Sequence, residues 1–148
     1  MSSRPSRVAV VAVGGVTAVV VNLIVYSTGR AAGGTFRFTS SSGPAEVDAV
    51  TVAGFSAVPL LIGLAAVALL APLAAWVIQV ALVAGPALAV GTIVLMTLPT
   101  DFDTASKATL ALCHLTLVPI IIAAVVAIGR QARPTRATKP HQPEPHGT

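Results

Sequence analysis

Charged residues divide this chain into long uncharged runs. None falls between Arg7 and Arg30, between Asp48 and Asp101, or between Lys107 and Arg130, which leaves runs of 22, 52 and 22 residues. A helix that crosses roughly 30 Å of hydrocarbon needs about 20 mostly apolar residues. The outer runs therefore hold one crossing each, and the middle run holds two joined by a tight turn. The pattern predicts four spans, at about 8–28, 51–71, 75–98 and 107–128. Valine-rich sequence is no obstacle, because in lipid each backbone group must bond internally and a helix achieves that.

The segments between the spans are short or polar. A basic start before an apolar run also describes a secretory signal peptide, but the run here exceeds the apolar core of about 7–15 residues usual in such signals. An uncleaved first helix is expected. Residues 29–50 form the longest connection, rich in Gly, Ser and Thr, and read as an exposed irregular loop. Within it the alternation Thr35-Phe-Arg-Phe-Thr39 offers a second outcome, a short extended segment capping the bundle. Proline disfavours helical geometry in the residue before it, which puts the turn of the middle run near Ala71-Pro72-Leu73. Trp76 then suits an interfacial anchor at the start of the third span. Thr104 or Ser106 is placed to cap the fourth helix. Residues 129–148 are basic and proline-rich, with too little apolar surface to fold alone, and a disordered tail is expected.

Composition changes the picture by excluding a soluble fold. Hydrophobic residues make up 55% and charged residues 9%, against roughly 25% charged in an ordinary soluble domain; mean hydropathy is +0.88. Charge then sets orientation. Arg4, Arg7, Arg130, Arg133, Arg136 and Lys139 fall on one side of a four-span scheme. Arg30, Arg37 and Lys107, offset by Glu46, Asp48, Asp101 and Asp103, fall on the other. Because basic residues favour the cytoplasm, residues 1–7 and the tail are expected there, flanking a membrane domain at 8–128. The fold expected is all-α: an integral membrane bundle of four transmembrane helices with both termini cytoplasmic, multi-pass in the cell membrane and solvated by membrane lipid.

Asn22-Leu-Ile-Val-Tyr26 leading to Gly29-Arg30, Ser56-Ala-Val-Pro-Leu-Leu-Ile-Gly63, and Lys107-Ala-Thr-Leu-Ala-Leu-Cys-His-Leu115 give the chain a further likeness. Together they resemble a family of small four-helix membrane proteins, found mainly in actinobacteria and catalogued as a domain of unknown function. The likeness covers roughly 8–130. It implies the same bundle and supplies no activity. It also leads one to expect basic residues between the second and third helices, where "LLAPLAAWV" has none.

Polar side chains inside a bilayer are costly and tend to face the bundle interior. Asn22, Lys107 and His114 stand out as a candidate intramembrane polar cluster. Asn22 lies eight residues before Arg30 and His114 seven after Lys107, so both sit roughly 10–12 Å below the outer boundary at about 1.5 Å per residue. They could share a hydrogen bond, either as glue between helices or as an outward-facing pocket in which His114 titrates or binds a solute. Thr17, Ser56, Thr92 and Thr109 supply further hydroxyls. Pro59, Pro86 and Pro119 fall inside spans, where each removes a backbone donor. Ala81/Gly85 and Ala87/Gly91 have the spacing of close helix contacts. The lone Cys113 makes no intramolecular disulfide and reads as a small apolar residue.

Several chemistries lack their residues. His114 has no second ligand at helical spacing, so no metal site is expected, and no cofactor motif is present. The acids lie in loops and tail, which leaves no membrane-embedded carboxylate pair. The basic termini lack interleaved aromatics, and nucleic acid is not an expected partner. The expected role is non-enzymatic: structural, scaffolding or accessory, acting as a homo-oligomer or beside a larger membrane protein. The alternative is an oligomeric small-solute or proton-coupled carrier using Asn22, Lys107 and His114.

Overall fold

The computed structural model describes residues 5–132. Four helices, all long and apolar enough to cross a membrane, run α1 (Arg7–Ala31), α2 (Ala49–Leu70), α3 (Trp76–Thr92, continued by a π-helical turn at Ile93–Thr97) and α4 (Thr104–Ala132). The fold is an integral membrane bundle of four helices. Arg7 and Gln131 meet at one end, where the Arg7 guanidinium donates to the Gln131 carbonyl at 3.4 Å and to Ala68 in α2 at 3.4 Å. That face is called the terminal end below, and the opposite face the capped end. Gly129–Ala132, expected in the tail, continue α4; the remainder of the expected tail, 133–148, lies outside the described residues.

Short polar side chains start the helices. Ser6 accepts from the Ala9 amide and Asp48 from the Thr51 amide, satisfying donors that have no intrahelical partner. For α4, the sequence pointed to Thr104 or Ser106 as cap, but Asp103 takes that position. Its carboxylate accepts from both the amide (2.8 Å) and the hydroxyl (2.6 Å) of Ser106. A carboxylate presents two acceptor oxygens where a hydroxyl presents one, so one aspartate serves both donors. The turn between α2 and α3 falls at Ala71–Leu73 as expected, but Ala71 itself keeps helical angles; the helix stops because Pro72 has no N–H to donate.

Packing is unequal around the bundle. α1 lies between α2 and α4, and α3 leans on α4 from the other side. α2 and α3, although consecutive, scarcely touch beyond their turn. Glycines permit the close approaches. A β-carbon on Gly14 would meet Leu64 of α2, and one on Gly29 would lie 2.2–2.8 Å from the Thr109 side chain of α4. Of the two small-residue pairs, Gly85 backs onto Ile121 of α4 while Gly91 faces open space. The main core gathers Leu60, Leu64 and Val67 with Val77, Val125 and Ile128. Large apolar side chains such as Val13, Ile24, Phe55 and Leu95 are left exposed on the bundle surface, as expected for helices solvated by hydrocarbon.

The long loop is not irregular. Arg37–Ser40 (β1) and Gly43–Glu46 (β2) form an antiparallel hairpin, with Phe38 opposite Ala45 and Ser40 opposite Gly43. Of the two outcomes weighed from the sequence, the extended segment is the one found. Phe36 precedes it in the left-handed region (φ 57°) and is wholly buried. Its ring packs on Tyr26 with centroids 4.7 Å apart, so burial and stacking outweigh a backbone preference of order 1–3 kcal/mol.

Candidate functional site

Asn22 is 1% exposed and ties three helices at one level. Its amide nitrogen donates to Ser56 Oγ of α2 at 2.7 Å, and its Oδ1 accepts from Thr116 Oγ1 of α4 at 2.6 Å. The Cys113 thiol of α4 points to the Asn22 backbone carbonyl at 3.8 Å. Ser56 was among the hydroxyls noted in the sequence; Thr116 was not. The signal for it was present, because Thr116 follows Cys113 by three residues and shares its helix face.

His114 does not join this group by hydrogen bonding. It lies at nearly the depth of Asn22, as the residue count suggested. One residue beyond Cys113, however, is turned about 100° around the helix, and the imidazole faces away from α1. Its Nδ1 lies 2.8 Å from the Leu110 carbonyl, so Nδ1 donates there, and in the neutral ring Nε2 is the acceptor. Lys107 is separate again. Its ammonium donates to the Leu98 carbonyl at 3.1 Å, closing the end of the π-turn as a basic residue commonly does at a helix C-terminus. The three candidate residues thus have three different sets of partners.

Asn22 and His114 do share a cavity. Between α2 and α3, with α4 as its floor, lies a cleft of about 740 Å³ lined by residues from the capped end to Trp76. Its polar lining, including Asn22, Ser56, Thr92, Thr97, Thr100 and His114, belongs to the capped half. The other half is lined by apolar or small residues such as Leu60, Gly63, Val67, Val77, Ala84 and Ile121. Irregular helix borders it, with Pro59 in one wall and Met96 and Thr97 of the π-turn in the other. Such π-turns recur at functional sites.

The hairpin closes the capped end through two aspartates, which in sequence are loop charges that offset Arg30, Arg37 and Lys107. Asp101 accepts from the Thr39 amide (2.9 Å) and hydroxyl (2.7 Å), and Asp103 from the Thr35 amide (3.0 Å) and hydroxyl (2.8 Å). The Phe36 amide donates to Ser106 Oγ at 2.8 Å. Arg30 pairs with Glu46 at 2.8 Å and lies over the Tyr26 and Phe36 rings, 5.9 Å from each centroid. Hydrogen bonds from the Ser106 hydroxyl and amide, then from Thr35, hold the Asp103 carboxyl well below the usual range. The Thr39 amide and hydroxyl lower the pKa of Asp101, and the Thr51 hydroxyl and amide lower that of Asp48. Among the described residues no group of three His, Cys, Asp or Glu side chains is disposed to hold a metal ion.

Residues 2–133 match the model of a family of unknown function (DUF6069). No curated protein and no solved structure matches the chain.

Proposed function

We propose that this chain, which belongs to the family of unknown function (DUF6069), is a non-enzymatic membrane protein with a structural, scaffolding or accessory role. It resides in the cell membrane with both termini in the cytoplasm and works as a homo-oligomer or beside a larger membrane protein. One observation carries this reading: the polar side chains where α1, α2 and α4 meet are spent on one another. Asn22 uses its amide nitrogen on Ser56 and its oxygen on Thr116, and no buried side-chain nitrogen or oxygen among the described residues lacks a partner. Bonds of this kind fix helices against one another.

Purification of the tagged full chain from native membranes in lipid nanodiscs tests this role. A stoichiometric protein partner or a defined homomer is expected, and it should persist in an Asn22→Ala variant assayed below that variant's melting temperature. Recovery of monomer alone, with no partner after cross-linking in the membrane, refutes it. A second reading, an oligomeric small-solute or proton-coupled carrier using Asn22, Lys107 and His114, draws support from the placement of His114 in the cleft. It requires His114→Ala to abolish a flux while leaving stability intact. An accessory role predicts a change in stability or partner recovery with no flux to lose.

A further inference from the structure

We infer that the cleft between α2 and α3 binds a long-chain amphiphile whose neutral head carries a hydroxyl, with that hydroxyl donating to His114 Nε2. This goes beyond the accessory role and stands or falls separately from it. Three observations converge. First, the cleft is graded along its length. Its polar lining lies in the capped half, and the rest offers only apolar or small side chains. That is the polarity profile of one amphiphile lying parallel to the helices, with its head toward the hairpin.

Second, the size suits a chain. The cleft offers about 740 Å³. Small-molecule sites run to roughly 300–1,000 Å³. From His114 to Val125 on the floor, α4 rises roughly 16 Å at about 1.5 Å per residue, a length an extended hydrocarbon can follow. Gly63, in the α2 wall, has nothing within 4 Å of where a β-carbon would stand.

Third, His114 supplies the chemistry. With Nδ1 engaged by the Leu110 carbonyl, Nε2 presents a lone pair that no described protein group uses. An acceptor in apolar surroundings is costly without a donor. Hydrocarbon cannot satisfy it; a hydroxyl can. A neutral head fits best, since the charged side chain in the lining, Glu46, is already paired with Arg30.

The test uses the full chain in nanodiscs with two photoactivatable probes, a diazirine-bearing hexadecanol and its methyl ether. Labelled peptides are mapped by mass spectrometry. With wild type, the alcohol should label α2 and α3 cleft residues at least fivefold more than lipid-facing Val13 or Ile24. Gly63→Phe, and separately Ala84→Phe on the facing wall, should abolish that excess. Each variant is first checked for a wild-type melting temperature, so one stands in if the other misfolds. His114→Leu should weaken labelling by the alcohol about threefold or more, the scale of one intramembrane hydrogen bond, with His114→Gln restoring part of it and the ether indifferent to both. Uniform labelling over all lipid-facing residues, or none lost on filling the cleft, overturns the site. Equal labelling by alcohol and ether overturns the role of His114. A protein cross-linked through the cleft residues in place of the probe overturns the choice of occupant.

Discussion

Replacing Asn22 by alanine deletes a buried side chain that ties α1 to both α2 and α4. Two hydrogen bonds vanish, to Ser56 and from Thr116. Each is worth about 0.6 kcal/mol on average within a membrane, with an upper range near 1.7, so the bonds account for roughly 1–3 kcal/mol. Relaxation lowers the figure, because Thr116 keeps its second acceptor, the Cys113 carbonyl at 2.8 Å. The void left at a position 1% exposed raises it, by about 24 cal/mol per Å³ of space that fails to collapse. A total near 2 kcal/mol is expected. A double-mutant cycle separates the causes: Asn22→Ala, Ser56→Ala and the pair, measured by reversible unfolding in mixed micelles. A coupling near 0.6 kcal/mol assigns the effect to the hydrogen bond. Zero coupling alongside a full loss in Asn22→Ala removes the Ser56 bond from the cause and leaves packing and the Thr116 bond. An Asn22→Ala protein as stable as wild type refutes the idea that this cluster fixes the bundle at all.

Gly29→Ala should cost about 1–3 kcal/mol from overpacking, since the new methyl would lie 2.2–2.8 Å from the hydroxyl, methyl and β-carbon of Thr109, too short a side chain to swing clear. Gly63→Ala, facing open space, serves as the control and should change the melting temperature little. Phe36→Ala should destabilise by about 3 kcal/mol or more, read by thermal unfolding; a loss below 1 kcal/mol would mean that the hairpin is not packed on Tyr26. Asp101 and Asp103 have folded pKa values held below the unfolded value of about 3.9. Their contribution is therefore present above about pH 4 and drains away as pH falls toward the folded values. Melting curves at pH 7 and pH 3 should show wild type losing more than an Asp101→Asn/Asp103→Asn double variant, and parallel losses would contradict the anchoring role.

The crossings were legible because charge is so sparse that its absence marks each span. The turn falls where Pro72 pointed, although Ala71 before it keeps helical angles (φ -56°, ψ -33°) and the missing proline N–H is what interrupts the ladder. The depth of Asn22 and His114 could likewise be counted from Arg30 and Lys107. Rotation could not. In helices apolar on every side, no hydrophobic stripe says which face looks inward, and a one-residue difference sends Cys113 toward α1 and His114 toward the cleft. The hairpin was half legible. Alternation at Thr35–Thr39 suggested extension, but the bonds that hold it come from Asp101 and Asp103, more than sixty residues later. Those aspartates had an ordinary explanation as loop charges that balance Arg30, Arg37 and Lys107. Partners so far apart in sequence leave no local trace.

The gap between α2 and α3 has a bearing on how occupancy is to be counted. Its two walls are joined at the foot by the Pro72 turn and covered at the head by the strands, while side chains along its flank, such as Phe55 and Leu88, are largely uncovered. Whatever settles there arrives by two-dimensional diffusion, and the relevant scale is mole fraction in the bilayer rather than molarity in water. Saturation would follow the lipid recipe of the vesicle and stay indifferent to the volume of buffer around it.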